Sequence, residues 1–200
     1  MRVTSEPDSA LHLDAGRPSR REQILRAAAQ LFAERGARAV GVDDVGAAVG
    51  VTGPAIYRHF ASKDAMLAEM LVRISERLLA GGTDRVADVG DDAAAQLRAL
   101  IAFHVDFALD NPALITVQDR DLATLPDAEA AQVRRLQRRY VEEWVAVLAR
   151  VHPEASTATC RARAHAVFGL INSTPHSAGR LARPAMAALL ADMAVAAATA

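Results

Sequence analysis

The sequence predicts an all-α fold, and three observations point to it. Hydrophobic residues make up 52% of the chain and aromatic residues only 4%, and much of the hydrophobic share is alanine, the strongest helix former. Apolar residues recur at helical spacing, for instance at Ile24, Ala28 and Leu31. Glycine is scarce and no strand-like alternation of convincing length occurs. We therefore expect three helices at the N-terminus followed by a larger helical body.

The N-terminal segment 1–18 lacks periodicity and is predicted to be a flexible arm. Helix 1 should begin near Ser19, because Glu22 lies three residues on and completes a capping box. Gly36 supplies its C-terminal stop. Three arginines lie near this helix start and could reach phosphates, although a plain solvated helix start is an equally good interpretation: Arg17, Arg20 and Arg21.

Two short helices joined by a tight turn are predicted next. The first covers about 43–49, Gly50 makes the turn, and the second covers about 53–59. Thr52 is the expected N-cap, and Pro54 lies near the first helical position, where a missing N–H costs nothing. Ser62 should then cap a fourth helix that ends at Gly81-Gly82.

Five further helices are predicted in the remainder of the chain. Their approximate bounds are 92–109, 112–122, 127–151, 155–176 and 184–198. Four prolines mark their starts or the breaks before them, namely Pro112, Pro126, Pro153 and Pro184. Pro175 should end or kink the helix that contains it. No internal repeat is present.

Bulk properties exclude some classes of protein. No apolar stretch reaches the roughly 18 residues that a bilayer span requires, so no membrane partner is predicted. The N-terminus lacks a signal-peptide pattern, and Cys160 is the single cysteine. These features predict a cytoplasmic protein without an internal disulfide.

The segment around the tight turn carries the chemistry expected of a DNA-binding helix-turn-helix. Residues 17–63 contain eight basic and four acidic side chains, a net +4 within a chain of net charge −1. A narrow helix with small residues at its start can approach phosphates closely. The alternatives are ordinary scatter of surface charge and a purely structural three-helix subdomain.

The stretch from Arg20 to Leu67 resembles the N-terminal domain of TetR-family transcriptional regulators. The resemblance is carried by RREQILRAAAQLFAERG (20–36), VDDVGAAVGV (42–51), and Tyr57, His59, Phe60 and Lys63 in a Y-x-H-F-x-x-K pattern. It implies a helix-turn-helix DNA-binding domain at 19–64, a helical ligand-binding and dimerisation domain at 65–200, and a homodimer on a palindromic operator. Carried onto this chain, the DNA-binding residues would be Thr52, Gly53, Pro54, Tyr57, His59 and Lys63.

Two positions depart from the family pattern. Val42 stands where members usually have a hydroxyl-bearing residue that binds phosphate, and Gly53 has no side chain where members often contact a base. Sequence discrimination would therefore depend on Thr52, Tyr57 and neighbouring residues.

The resemblance also implies a dimer interface and a ligand pocket in the body. The helices at about 155–176 and 184–198 would pair with those of a second copy, although packing within one chain is the alternative. An unidentified small-molecule effector, apolar or acyl-CoA-like, would bind among the helices at 92–151 with part of the helix at 155–176. The predicted lining, which could instead be ordinary core, is Phe103, His104, Phe107, Gln118, Trp144, His165, Phe168 and Asn172.

A basic cluster lies on the helix at 127–151 and consists of Arg134, Arg135, Arg138 and Arg139. Glu142 and Glu143 follow at i+4, so a solvated surface is the simplest interpretation; the phosphates of an acyl-CoA are the alternative.

No enzymatic or cofactor-binding pattern is found. The six histidines are scattered without metal-ligand spacing, and there is no glycine-rich phosphate loop, so neither metal nor cofactor is predicted. The sequence therefore predicts a ligand-responsive transcriptional repressor and not an enzyme. The alternative is a helical binding module or enzyme that retains a helix-turn-helix without operator function.

Overall fold

The computed structural model describes residues 18–177, 179 and 181–200, and all regular secondary structure in these residues is helical. The prediction of an all-α fold is confirmed. Apart from a short 3₁₀ turn at Leu122–Thr124, the elements are α1 (Arg20–Arg35), α2 (Val42–Val49), α3 (Gly53–Ile56), α4 (Lys63–Asp88), α5 (Ala93–Asp110), α6 (Pro112–Asp121), α7 (Asp127–Val151), α8 (Thr157–Ile171), α9 (Thr174–Ser177) and α10 (Arg183–Thr199).

The chain forms two compact units. The N-terminal unit contains the described residues up to Ile74 together with Ala113–Val133, and the C-terminal unit contains Ser75–Pro112 and Arg134–Ala200. Two of the three dividing points fall inside α4 and α7, so each of these helices contributes to both units, and the third follows Pro112, the first residue of α6. The predicted boundary between residues 64 and 65 stays a prediction, and the predicted arm lies, except for Pro18, outside the described residues.

Local capping chemistry sets the ends of the first helices as the sequence predicted. The Ser19 hydroxyl accepts from the Glu22 N–H at 3.3 Å, and the Ser19 N–H donates to the Glu22 carboxylate at 2.6 Å. Gly50 ends α2 in the left-handed conformation, with φ of 72°. The Ser62 hydroxyl accepts from the Ala65 N–H at 3.0 Å and caps α4. The capping bonds thus set the starts of α1 and α4, and the left-handed Gly50 sets the end of α2.

The helix that follows the tight turn is shorter than predicted. Regular α-helix extends only from Gly53 to Ile56, and residues 57–59 continue as turns. Pro54 lies in the first turn, as expected. Thr52 occupies the N-cap position, but its hydroxyl makes no capping hydrogen bond, so the prediction of a side-chain cap was wrong.

The fourth helix does not end at Gly81-Gly82, and that prediction was also wrong. α4 continues to Asp88. The two glycines do not reverse the chain but allow close packing against the helix. A Cβ on Gly81 would overlap the ring of Phe103, and one on Gly82 would lie 2.6 Å from Cε2 of Tyr140. Glycine here lets two aromatic rings lie against the helix backbone.

The C-terminal unit is built on contacts among α5, α8 and α10. The predicted single helix at 155–176 is interrupted: α8 ends at Ile171, and a separate short helix, α9, begins at Thr174. The buried Thr174 hydroxyl donates to the Ala108 carbonyl at 2.9 Å and ties α9 to α5. α10 buries Met186, Leu190 and Ala194 along one face.

Within the described part of the chain, no single helix is long and apolar enough to cross a membrane. α5 and α6 pass that test only as a bent pair, on length and composition alone.

Candidate nucleic-acid interface and aromatic cluster

The turn and short helix at 52–57 present side chains to solvent that take part in no internal bond. Thr52 and Pro54 are exposed, and Tyr57 is 57% exposed, which is unusual for a large aromatic side chain. The Thr52 hydroxyl has no partner among the described residues, since it does not cap α3. A hydroxyl and a phenol are therefore free to bind an external group, and both suit phosphate oxygens or base edges.

The other three residues predicted to bind DNA are more restrained. Gly53 is buried, and a side chain at this position would collide with the Asp43 carboxylate. His59 is half-buried. Lys63 is half-buried and its ammonium donates to the Arg38 carbonyl at 3.3 Å. The structure thus brings Thr52, Pro54 and Tyr57 to one exposed segment and places Gly53 beneath it.

Arg21 of α1 holds the backbone that directly follows this segment. Its guanidinium donates to the His59 carbonyl and to both carboxylate oxygens of Glu69, and it lies 4.2 Å from the centre of the Phe60 ring. The hydrogen bond to Glu69 raises the pKa of Arg21 despite partial burial. Burial opposes ionisation of Glu69, but Arg21 and Arg73 outweigh it and hold the pKa of Glu69 below its usual value. Arg21 is therefore a positioning residue.

Arg20 is also engaged within the unit, which answers the question left open for the helix start. Its guanidinium donates to the Val49 carbonyl at 2.8 Å, at the C-terminal end of α2, and to the Gln23 side chain at 2.8 Å. Favourable contact of a cation with a helix C-terminus explains the placement. Arg17 lies outside the described residues.

An aromatic cluster surrounds His104 in the C-terminal unit. Ring centroids lie 5.0 Å from His104 for Phe168, 5.8 Å for Tyr140, 6.0 Å for Trp144 and 6.1 Å for Phe107. Phe168 also lies 4.9 Å from Trp144, edge to face. Phe168 is half-buried, whereas the other rings are buried. These rings pack against one another at distances typical of aromatic pairs.

Three polar groups are built into this cluster. His104 Nδ1 lies 3.2 Å from the Tyr140 hydroxyl, and His104 Nε2 lies 3.1 Å from Oδ1 of Asn172. Burial lowers the pKa of His104 to about 4, although the bond to Asn172 opposes the shift, so the imidazole is neutral at pH 7. Burial raises the pKa of Tyr140, and the nearby indole of Trp144 partly opposes that rise. The network carries no net charge at neutral pH.

Five of the eight predicted pocket residues belong to this cluster, namely His104, Phe107, Trp144, Phe168 and Asn172, whereas Phe103 packs on Gly81. His165 is exposed and reaches only the edge of Phe168, at 6.4 Å between centroids. Gln118 lies on α6 in the N-terminal unit. For Phe103, His165 and Gln118 the lining role stays a prediction.

Sequence reasoning missed Tyr140, although it supplies a hydrogen bond to His104. It stands in the polar stretch RRYVEE, which favours a surface interpretation. Its i, i+4 spacing to Trp144 was the signal that could have identified it, because residues four apart share one helix face.

Two surfaces of the C-terminal unit are unpartnered. Leu189 and Met193 of α10 are 44% and 47% exposed, and on α8 the residues Ala162, Ala166 and Gly169 are exposed at helical spacing. The second surface is the basic cluster, Arg134, Arg135, Arg138 and Arg139, whose four side chains are exposed. In the part of the chain that the structure describes, no ion pair involves these four, and no group of three or more His, Cys, Asp or Glu could hold a metal ion.

Comparison with family models gives matches to both parts of the chain. Residues 24–70 match the model for bacterial regulatory proteins of the tetR family, and residues 90–198 match the tetracyclin repressor-like C-terminal domain. The first match contains α2, α3 and the exposed segment at 52–57. The second contains the aromatic cluster and the exposed face of α8 and α10.

Individual proteins are similar over shorter segments. The HTH-type transcriptional repressor KstR2 of Rhodococcus jostii is 33% identical over 136 residues, which is 67% of this chain and 66% of that protein. The HTH-type transcriptional activator FasR of Mycolicibacterium smegmatis is 33% identical over 119 residues, 59% of this chain and 53% of that protein. The chain thus spans less than two thirds of either relative.

Solved structures share the fold at low sequence identity. The ketosteroid transcriptional regulator KstR2 of Mycobacterium tuberculosis has a TM-score of 0.78 at 20% identity, covering 92% of this chain and 97% of that one. AibR in complex with isovaleryl coenzyme A and operator DNA has a TM-score of 0.74 at 18% identity, covering 88% and 97%.

Proposed function

This chain belongs to the TetR family of bacterial transcriptional regulators, and we propose that it acts in the cytoplasm as a homodimeric repressor that releases a palindromic operator when a small molecule binds. The family consists of DNA-binding regulators and not of enzymes, so the chain is a DNA-binding regulator of transcription. Our proposal concerns the operator contacts, the dimer interface, the effector and the direction of regulation.

The assignment of the DNA-binding site rests on the segment at 52–57, whose exposed side chains make no hydrogen bond within the described part of the protein. Thr52 and Tyr57 are exposed and have no internal partner, within the region matched by the tetR family model. We assign direct contacts to Thr52, Pro54 and Tyr57, and phosphate contacts to His59 and Lys63 at its edge. Gly53 contributes by its small size, since it lets the chain pass close to Asp43.

The dimer interface is assigned to the exposed face of α8 and α10. Exposed Leu189 and Met193 beside a row of small residues allow close packing of helices from a second copy. Replacing both residues by Glu should convert the dimer to a monomer, because the new charges would be buried without partners. Size-exclusion chromatography with light scattering measures this, and Val89→Glu, at an exposed position just after α4, should leave the mass unchanged. A dimer that survives both substitutions contradicts the assignment.

The effector site is assigned to the aromatic cluster, and its ligand to apolar or acyl-CoA-like molecules. The fold neighbour AibR is described in complex with isovaleryl coenzyme A. The four arginines of the basic cluster are exposed while Tyr140, on the same helix, is buried. The four arginines therefore lie on a different face of α7 from the aromatic cluster. We take the end of the effector that enters the aromatic cluster to be apolar.

Repression is proposed over activation because the match to the KstR2 repressor extends over a longer segment than the match to the FasR activator. A reporter fused to the bound promoter tests this, since deletion of a repressor raises its expression. A fall in expression would identify an activator.

DNA binding is tested with labelled segments of DNA from the protein's own locus. The wild-type dimer should bind one segment with an affinity that falls steeply with salt. The double variant Tyr57→Ala/Lys63→Ala should bind about 30-fold more weakly, as expected for the loss of two contacts of roughly 1 kcal/mol each. The matched control is Val89→Ala/Arg135→Ala, which removes one exposed apolar side chain and one exposed cation elsewhere.

Equal loss in the control would contradict the assigned surface. Failure of the folded dimer to bind any segment of its locus at low salt would contradict operator binding itself.

A further inference from the structure

The hydrogen-bond network of the aromatic cluster has a defined direction. An amide oxygen can only accept, so Oδ1 of Asn172 assigns the hydrogen of His104 to Nε2. Nδ1 is then an acceptor, and the Tyr140 hydroxyl donates to it. This assignment uses the Tyr140 hydrogen and both nitrogens of the imidazole, so none of them is left to bind a further group.

Two donors nevertheless remain without a bond. The amide nitrogen of Asn172 has no partner among the described residues, and Asn172 is half-buried at the end of α8. The indole Nε1 of Trp144 is buried and makes no hydrogen bond of good geometry in that part of the chain. A buried donor without an acceptor is costly. A ligand that supplies an acceptor oxygen therefore gains more here than one that supplies a donor.

The acceptor should be uncharged. None of the side chains that surround His104 in the cluster carries a charge: Phe107, Tyr140, Trp144, Phe168 and Asn172. A carboxylate or phosphate that entered would lose its hydration and find no cation. A carbonyl oxygen accepts hydrogen bonds without that penalty.

Phe168 is the ring of the cluster that is most accessible from solvent. It is the half-buried ring over His104, Tyr140 and Trp144, and rotation of its side chain would uncover all three. The space that it leaves has the size of one six-membered ring, lined by aromatic faces.

Building on the proposed effector response, we propose that this site takes an uncharged group, either a whole molecule or one end of it, with a ring-sized apolar body that replaces the Phe168 ring and a carbonyl oxygen that accepts from the Asn172 amide. A ketone, an ester or the thioester of an acyl-CoA supplies that oxygen. In a thioester the charged remainder stays outside the cluster.

Trp144 provides the measurement, because it is the one tryptophan of the chain and contacts Phe168. The full-length protein is titrated with three probes of one shape, namely cyclohexyl methyl ketone, isopropylcyclohexane and cyclohexanecarboxylate, while indole fluorescence is recorded. The ketone should bind about 3- to 10-fold more tightly than the hydrocarbon, the value of one neutral hydrogen bond. The carboxylate should bind at least about 100-fold more weakly than the ketone. An acetyl thioester of cyclohexyl shape is titrated alongside, so that its affinity relative to the ketone distinguishes a thioester from a ketone as the source of the carbonyl oxygen.

Variants test the two named residues. Phe168→Ala should tighten both neutral probes by about tenfold, since no ring must be displaced. Asn172→Leu should abolish the preference for ketone over hydrocarbon, whereas the control Gln132→Leu, an exposed amide, should keep it. If Asn172→Leu fails to fold, judged by circular dichroism, Asn172→Ser replaces it.

Equal affinity for ketone and hydrocarbon, or tighter binding of the carboxylate, would overturn the proposal. So would the absence of binding by every probe to both the wild type and Phe168→Ala. Operator binding is measured on the same samples. Intact DNA binding without a ketone preference refutes the ligand class alone, and loss of DNA binding in the wild type refutes the proposed function.

Discussion

The ring of Phe103 lies directly on the backbone of Gly81, in the middle of α4. The terminal carbon of the ring occupies the volume in which any other residue would place its Cβ. A helix-interior glycine costs about 1 kcal/mol relative to alanine. Its presence here is explained by the ring, which could not approach the helix so closely over a methyl group.

Gly81→Ala should therefore destabilise the protein, although the same substitution stabilises an exposed helix. Forcing a methyl group into a packed site costs about 1–3 kcal/mol, which outweighs the gain in helix propensity. We expect a lower midpoint of unfolding in urea. In the Phe103→Leu background, which lacks the ring-edge carbons that the new Cβ would meet, the penalty should shrink or reverse. An equal penalty in both backgrounds would show that the ring is not its cause.

The stability of the protein should depend on pH through His104. Its pKa is about 4 in the folded chain and about 6.5 when unfolded. Between these values the unfolded chain binds a proton that the folded chain does not, so stability is complete above about pH 6.5 and falls as the pH is lowered towards 4. The loss amounts to roughly 3 kcal/mol. Denaturant unfolding of wild type and His104→Gln across this range measures it, because carboxylates contribute equally to both. Parallel pH profiles would contradict the burial of a neutral imidazole.

Arg120 should be important for the N-terminal unit. Its guanidinium donates to the Phe32 and Ala33 carbonyls at the C-terminal end of α1, and it pairs with the buried Asp121 carboxylate. Arg120→Ala leaves those carbonyls and that carboxylate without a cation, so we expect a loss of about 2 kcal/mol in unfolding free energy. The exposed and unpaired Arg135 provides the control, since Arg135→Ala should change stability by less than about 0.5 kcal/mol. Similar losses in both variants would argue against the assigned role.

Arg21 and Lys63 should affect operator binding in different ways. Arg21 positions the segment after α3 through the His59 carbonyl and Glu69, so Arg21→Ala should lower affinity about 3- to 10-fold without changing its salt dependence. Lys63→Ala removes a phosphate contact, so the slope of log affinity against log salt should fall in magnitude by about 1. Anisotropy titrations at several salt concentrations separate the two effects. A reduced slope for Arg21→Ala would make it a direct phosphate ligand.

Much of the N-terminal unit could be predicted because its signals are local. The Ser19–Glu22 capping box, the left-handed Gly50 and the Ser62 cap each act within a few residues of the chain. The same local logic failed at Thr52, whose side chain was assigned to the helix although it is left to solvent. The sequence shows that a side chain is able to cap a helix, but it does not show whether the capping hydrogen bond forms.

The errors in the C-terminal unit come from contacts between distant segments. Gly81-Gly82 has the composition of a helix end, and only the packing of Phe103 and Tyr140 shows why glycine is required inside α4. Periodicity identifies the face of a helix, whereas the partner of that face depends on tertiary packing.

The side chains of Thr52 and Tyr57 contribute no bond to the unit that carries them, while Arg20 and Arg21 fix the surrounding backbone from α1. Substitutions of these two exposed residues should therefore have little effect on the stability of the fold. With the operator contacts proposed for these two side chains, point mutations there would change the operator preference at little cost in stability, and the scaffold that presents those positions would stay under independent selection.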